Sequence, residues 1–506
     1  MTDSGTASGT ALPAAAAAPR EIEVAAAAAG AGGRSHTLGR LVRNTVAVGI
    51  GGNVVALGRL VVLGMILQGF GRATFGEYCL IITLLAVAEG LADFGTTDVF
   101  VREILRRGDA DGLQMRVLTG AKLIQAPLAF AILVAVMLAM RYPPHVLRAA
   151  AVAGAGMVFF GLILVYRVQF RTRLTMEREV AAELASVLAM MALLGLGAKG
   201  RGGLPAVAGC HLAGRALFAG LCVAFGWAGH RLSLAGVSVR QVARAMTDSA
   251  AVGALGLLVA AYQAIDILVL SKVRPEADVA WYGAAQRLSL PLLMVLGAIG
   301  STLYSVLAAQ WPHQPEAFAR TCQRGVEAVF VLGLMALAGV LAGAEFLMGL
   351  LGGELVDGAD ALRLLAALAV VKAFTMTLGP TLLVVRAQRA VLVLIATATA
   401  VKLVCLLLVA GRWGFVGVAT AALAVEIAAV AIPAVVMIRR IVGVNVRWGS
   451  PLLAGLLAAA GVAVGAGVFP MGSFRAAVAA VAVYAAGAAA TGMLRPGMLR
   501  RGGMIS

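Results

Sequence analysis

The feature that most constrains this chain is a succession of apolar runs. Each is about as long as the 20 or so residues a helix needs to cross a bilayer core, and short polar turns separate them. They fall at 46–68, 76–100, 117–140, 146–166, 179–198, 204–228, 248–270, 282–309, 326–351, 362–385, 391–411, 414–437, 450–470 and 475–494. Runs apolar on every side have no polar face to turn to water, so they read as helices within lipid. The chain is 61% hydrophobic and 13% charged, against roughly 25% charged in a soluble domain. The expected fold is an all-α integral membrane protein of about fourteen transmembrane helices.

The connecting loops orient it. Basic residues concentrate in alternate loops: Arg102, Arg106, Arg107 and Arg116; then Arg167, Arg171, Arg173 and Arg178; then Arg231, Arg240 and Arg244; then Arg439, Arg440 and Arg447. The turns between them are poorer in basic residues, and 352–360 carries acids and no base. By the positive-inside rule the basic loops and both termini are cytoplasmic, in an inner (cytoplasmic) membrane. The net charge of +17 is therefore a topology signal and does not call for nucleic acid as a partner. Residues 1–45, rich in Ala, Gly, Ser and Thr, read as a disordered cytoplasmic tail, and 495–506 as a second tail. No loop has room for a soluble ATPase or glycosyltransferase domain. Walker A, HExxH and GxSxG patterns are absent. The five cysteines (Cys79, Cys210, Cys222, Cys322, Cys405) form no CxxC and read as small buried hydrophobes. The expectation is a transporter, not an enzyme, with no cofactor and no metal.

Ionisable residues within the runs are costly and mark a polar interior. At 1.5 Å rise per residue, Arg59, Glu89, Arg215, Lys372, Lys402 and Glu426 lie roughly 16–20 Å from the cytoplasmic ends of their helices. Asp93 and Lys122 are shallower, and Asp266 and Arg287 lie toward the outer side. Three pairs at matched depth, Arg59–Glu89, Asp93–Lys122 and Lys402–Glu426, read either as structural ion pairs or as cavity groups. Arg215 and Lys372 have no evident partner and are expected to face one shared chamber. The deep set is mainly cationic, which favours an anionic cargo; Arg in particular binds phosphate oxygens in a bidentate fork. The expected substrate-binding set is Arg59, Arg215, Arg287, Lys372 and Lys402. Glu89, Asp93, Lys122, Asp266 and Glu426 are the ion-coupling or structural groups. Pro127, Pro291 and Pro380 read as tolerated kinks.

A weak internal repeat links the first hairpin, through Phe75-Gly76-Glu77-Tyr78, with the stretch ending Trp281-Tyr282-Gly283. The pattern Asn53…Arg59-Leu60…Phe75-Gly76-Glu77-Tyr78…Ala92-Asp93-Phe94-Gly95…Arg102-Glu103 resembles the N-terminal hairpin of polysaccharide flippases. These transport lipid-linked oligosaccharides and belong to the multidrug/oligosaccharidyl-lipid/polysaccharide exporter superfamily. Asp266…Tyr282-Gly283-Ala284-Ala285-Gln286-Arg287-Leu288 resembles the family's second-half signature. The resemblance implies a six-helix lobe over 46–228, a linker over 229–247 and a second six-helix lobe over 248–437. Two more helices follow over 438–494. The lobes would enclose a central cavity opening to either side in turn, with a polyprenyl-linked glycan as cargo. A polysaccharide polymerase and glycosyltransferases would be functional partners. Rival readings are a multidrug/toxin extruder, a peptidoglycan-precursor flippase and a non-transporting membrane scaffold. Arg59, where an extruder of cations would want an acid, counts against the first.

Overall fold

A computed structural model of the chain describes residues 51–109, 112–197, 202–385 and 387–493. Both expected tails lie outside these residues. Every regular element among them is helical. In chain order they are α1 Gly52–Asp93, α2 Thr96–Arg107, α3 Leu113–Ala139, α4 Pro144–Gly154, α5 Gly156–Thr172, α6 Met176–Gly197 and α7 Gly203–Gly226. Next come α8 Val239–Val273, α9 Glu276–Gln310, α10 Pro315–Leu351, a 3₁₀ turn Gly353–Gly358 and α11 Ala359–Val384. The series closes with α12 Gln388–Val425, a π-helical turn Glu426–Ala431, α13 Ile432–Val442, α14 Gly449–Val468 and α15 Phe474–Ala490.

Eleven helical stretches among the described residues are long and apolar enough to cross a membrane, and Phe474–Ala490 is a shorter apolar helix. Two of the eleven, Gly52–Arg107 and Arg389–Val442, run to 56 and 54 residues, about double a bilayer crossing. Both are folded back. In α1 the helical backbone breaks at Gly71, with φ 83° and ψ 170°. Gly52 and Glu89 nonetheless line one chamber; a straight helix would hold them roughly 55 Å apart. In α12 the break is at Gly414, with φ 59°. Lys402 and Glu426 both bond to Tyr262, where a straight helix would separate them by roughly 36 Å. Glycine reaches these positive-φ conformations without the Cβ clash other residues meet.

The structure moves several expected boundaries. The polar hinge at 69–74 narrows to the single residue Gly71, because its flanks continue the helix on either side. The second span stops at Asp93 rather than residue 100: Phe94 and Gly95 both take left-handed conformations and α2 starts afresh. Helix α8 begins at Val239, inside the stretch expected as linker. A capping box, in which Ser238 and Gln241 satisfy each other's backbone N–H groups, starts it there. The break expected at Arg412-Trp413 falls at Gly414.

Helices α1, α6 and α7 stand on one side of a central space, with α8 and α9 on the other. The two sides touch at both ends. Beside the α1 turn, a Cβ on Gly76 would stand 2.4 Å from the Glu276 carbonyl of α9, and one on Gly283 would stand 2.8 Å from the Cys79 Cβ. Near the basic α2, a Cβ on Gly253 would lie 2.5 Å from the Phe94 ring. The two sides thus approach backbone to backbone where glycines permit. Helices α14 and α15 pack on α10 through Ala454, Ala458, Ala476, Ala480 and Tyr484 against Val331, Ala338 and Ala342, with the Tyr484 hydroxyl donating to the Val331 carbonyl at 2.7 Å. Exposed Leu128, Leu407, Leu408, Leu452 and Leu456 give the outer surface the apolar character that lipid requires.

Cys79 is fully buried at the α1–α9 contact, which makes it a native reporter of closure. Gly76→Leu is expected to hold this end apart. Thiol-reactive maleimide should then label Cys79 faster in the variant than in the wild type.

Candidate functional site

An internal space of about 680 Å³ lies between the two sides. The fold-back at Gly71 puts Arg59 and Glu89, from the two arms of α1, on the same wall. Met176–Gly197 brings Glu183, and Gly203–Gly226 brings His211 and Arg215, one helical turn apart on one face. From the opposite side α9 contributes Gln286 and Arg287, and α8 contributes Gln263.

The charges within the chamber are partly matched. Arg215 Nη2 donates to Glu89 Oε1, and Arg59 Nη2 donates to Glu183 Oε1. The Arg215 guanidinium also sits over the Phe160 ring, 5.1 Å from its centroid, a cation–π contact that fixes its position. Tyr78 and His211 share a hydrogen bond at 3.1 Å through Nδ1. Arg287 has no ion-pair partner among the described residues; its nearest polar contact is a long one, 3.5 Å from Nη2 to Thr83 Oγ1 across the two sides. Three arginines against two glutamates leave one formal positive charge in excess.

The sequence-derived set divides accordingly. Arg59, Arg215 and Arg287 line the chamber with Glu89. Lys372 and Lys402 do not: the shared chamber expected for Arg215 and Lys372 is not formed. Lys402 is fully buried and donates to Asp266 Oδ2 at 2.8 Å and to the Tyr262 carbonyl at 2.9 Å. Lys372 lies over the Tyr262 ring at 5.4 Å. Glu426, at the start of the π-helical turn, accepts from the Tyr262 hydroxyl at 2.7 Å and from Thr375 at 3.0 Å. These five groups form a separate cluster around Tyr262, in which Asp266, Lys402 and Glu426 are buried and Lys372 and Thr375 half-buried.

The expected pairings also change. Arg59 pairs with Glu183 rather than Glu89, and Lys402 with Asp266 rather than Glu426. Matched depth restricts a residue to a layer of the membrane, whereas the partner within that layer depends on helix rotation and on which helices are neighbours. Asp93 and Lys122 do meet, at 3.0 Å. Lys122 Nζ also donates to the Ala92 and Asp93 carbonyls, at 3.1 and 3.0 Å. It therefore caps the open C-terminal end of α1, where a cation complements the helix dipole. Glu183 and His211 were missed by reading charge against depth. The four-residue spacing of His211 and Arg215 was the available signal for the histidine. Among the described residues no cluster of three His, Cys, Asp or Glu has the arrangement to hold a metal ion.

A two-sided helical bundle around a charged internal chamber is an architecture suited to a membrane transporter. Residues 70–355 match the family described as "Polysaccharide biosynthesis protein", which is more than half of the chain, and the chain belongs to that family. No curated protein matches the sequence. Among solved structures it is similar to a lipid II flippase, MurJ, in an inward closed conformation, with 10% identity, 87% of this chain and 98% of that chain covered, and a TM-score of 0.71. It is also similar to a multidrug resistance MATE family transporter in an inward-facing conformation: 17% identity, 77% and 94% covered, TM-score 0.62. A third is a superfamily transporter from Pyrococcus furiosus described as having a binding pocket of reversed polarity: 18% identity, 80% and 95% covered, TM-score 0.55. At these identities the likeness is one of fold. Family and fold together make the chain a multi-pass membrane flippase or transporter of the multidrug/oligosaccharidyl-lipid/polysaccharide exporter superfamily.

The Tyr262 cluster yields a stability prediction. Lys402→Met strands the Asp266 carboxylate, and breaking a buried pair from one side costs about 3–5 kcal/mol. Thermal unfolding of the detergent-purified protein should show that loss. Lys402→Met combined with Asp266→Leu should recover most of it.

Proposed function

We propose that the protein carries a lipid-linked oligosaccharide, a glycan unit on a polyprenyl diphosphate, from the cytoplasmic to the outer leaflet of the inner membrane for polysaccharide assembly. The observation that carries this reading is the convergence of Arg59, Arg215 and Arg287 on one chamber between the two sides, with positive charge in excess. A diphosphate moving through a region of low dielectric needs fixed cations, and guanidinium forks match its oxygens. The polar lining of Gln263, Gln286, Tyr78 and His211 offers hydrogen-bond partners to sugars. The lipid tail would stay in the bilayer, and the two sides would rock about the cargo.

In this reading the two double-length stretches each cross twice and the shorter α15 crosses once, for fourteen crossings with both termini cytoplasmic. The first lobe runs to the end of α7, the second from α8 to α13, and α14 and α15 form an appended pair. The substrate set contracts to the three chamber arginines; Lys122, Asp93, Lys402, Asp266 and Glu426 serve the fold. An extruder of organic cations would want carboxylates in excess, the opposite balance. A cell-wall precursor flippase would use the same headgroup chemistry, and family membership favours the polysaccharide unit. A polymerase and glycosyltransferases would act on either side of the transport step.

Purified protein in vesicles carrying a labelled polyprenyl-diphosphate oligosaccharide tests this directly. Leaflet exchange should exceed that of protein-free vesicles. Arg287→Gln should lower it by about tenfold, the loss of one charge-assisted contact. Exchange equal to protein-free vesicles would refute the reading, and lethality on depletion in cells would move the cargo to a cell-wall precursor.

A further inference from the structure

Two of the three chamber arginines are already occupied. Glu89 holds Arg215 and Glu183 holds Arg59, both by side-chain ion pairs in the same space that would receive the cargo. Each carboxylate gives its guanidinium group one charged oxygen, Oε1 on Nη2, an acceptor of the kind a phosphate oxygen would present. An arriving diphosphate finds only Arg287 without an ion-pair partner among the described residues. To engage the other two it must take their donors from the glutamates.

Resting on the reading above, we infer that Glu89 and Glu183 act as resident surrogates for the headgroup, and that the incoming diphosphate displaces them with uptake of protons. The physical reason is charge. With the diphosphate on the arginines, a displaced carboxylate would stand beside a second anion inside a partly dehydrated space, and like charges at that range cannot both remain ionised cheaply. Each displaced carboxylate therefore takes one proton from water on the open side. No covalent bond changes; the proton goes to a glutamate oxygen and returns to water when the anion departs and the ion pair re-forms.

The groups around each carboxylate support this division of roles. Glu89 faces Arg215 and His211 from α7, Arg59 and Tyr78 from α1, Arg287 from α9 and Glu183 from α6; Asp93 is one turn further on and committed to Lys122. Glu183 faces Arg59, with Glu179 one turn before it and Cys222 on α7 nearby. Arg167 is close but is bonded to Glu179 at 2.6 Å. Once its arginine is taken, neither glutamate has a second unengaged cation on its own side of the chamber.

Calorimetric titration of the full-length protein in nanodiscs with a short-chain polyprenyl diphosphate reads the effect. Measurements in buffers of different ionisation heat count the protons taken up. Above pH 7 the ligand's own phosphate is largely ionised, its second pKa being about 6. Between pH 7 and 8.5 the wild-type Kd should rise about tenfold per pH unit for each proton taken up. Glu89→Gln and Glu183→Gln should each remove part of that slope, and the double variant should bind with little pH dependence and more tightly at pH 8.5. Binding without proton uptake overturns this inference and leaves the proposed function standing. Uptake that persists unchanged in the double variant also overturns it, because the proton would then belong to His211. Absence of binding overturns both. The wild-type proton count requires no variant to fold.

Discussion

A guanidinium halfway across a bilayer is tolerable only beside a carboxylate or in contact with water, and much of this structure follows from meeting that condition. The sharp reversal at Gly71 lets one helical segment supply both a cation, Arg59, and an anion, Glu89, to the same wall. Helices α6 and α7 then bring the complementary partners, Glu183 and Arg215. The pairs cross: each arm of α1 is bonded to a different neighbour, so the ionic contacts tie three helices together around the chamber.

The second half solves the same electrostatic problem with a different outcome. Lys402, Asp266, Glu426, Thr375 and Lys372 gather at Tyr262, which offers its carbonyl, its hydroxyl and its ring face. Lys402 and Asp266 are buried almost completely, leaving no surface for cargo. One set of intramembrane charges is arranged around space and the other around a side chain. That division could not have been anticipated from the sign or depth of the residues.

The apolar runs were legible because lipid imposes length and composition on every crossing, and composition alone located nearly all of the helices. The turns at Gly71 and Gly414 fell near the expected polar breaks for the same reason. Partners were less legible. Asp93 and Lys122 lie on α1 and α3, with only α2 between them in the chain, and their pairing could be read from depth. Arg59 with Glu183 and Arg215 with Glu89 join residues more than a hundred positions apart, and depth alone does not report which helices are neighbours or how each is rotated. Lys372 illustrates the limit: its depth suggested the chamber, while the rotation of α11 turns it toward Tyr262. The resemblance in the second-half signature marked the stretch that delivers Arg287, which reading by charge alone had placed merely toward the outer side.

Both ion pairs of the chamber join α1 to α6 and α7 on one side, whereas Arg287 arrives from α9 on the other and reaches across through a long bond to Thr83. A multiply charged guest gripped by Arg287 and by either of the other arginines would span the seam. In that reading the passenger itself would add an electrostatic link between the two sides. Without such a guest the two sides meet at their rims, where glycines let backbones approach, Tyr142 and Ser271 share a hydrogen bond at 2.8 Å, Lys272 donates to the Met140 carbonyl and Arg72 covers the Trp281 ring, so the contacts that join the sides and the groups that would grip a cargo are different parts of the molecule.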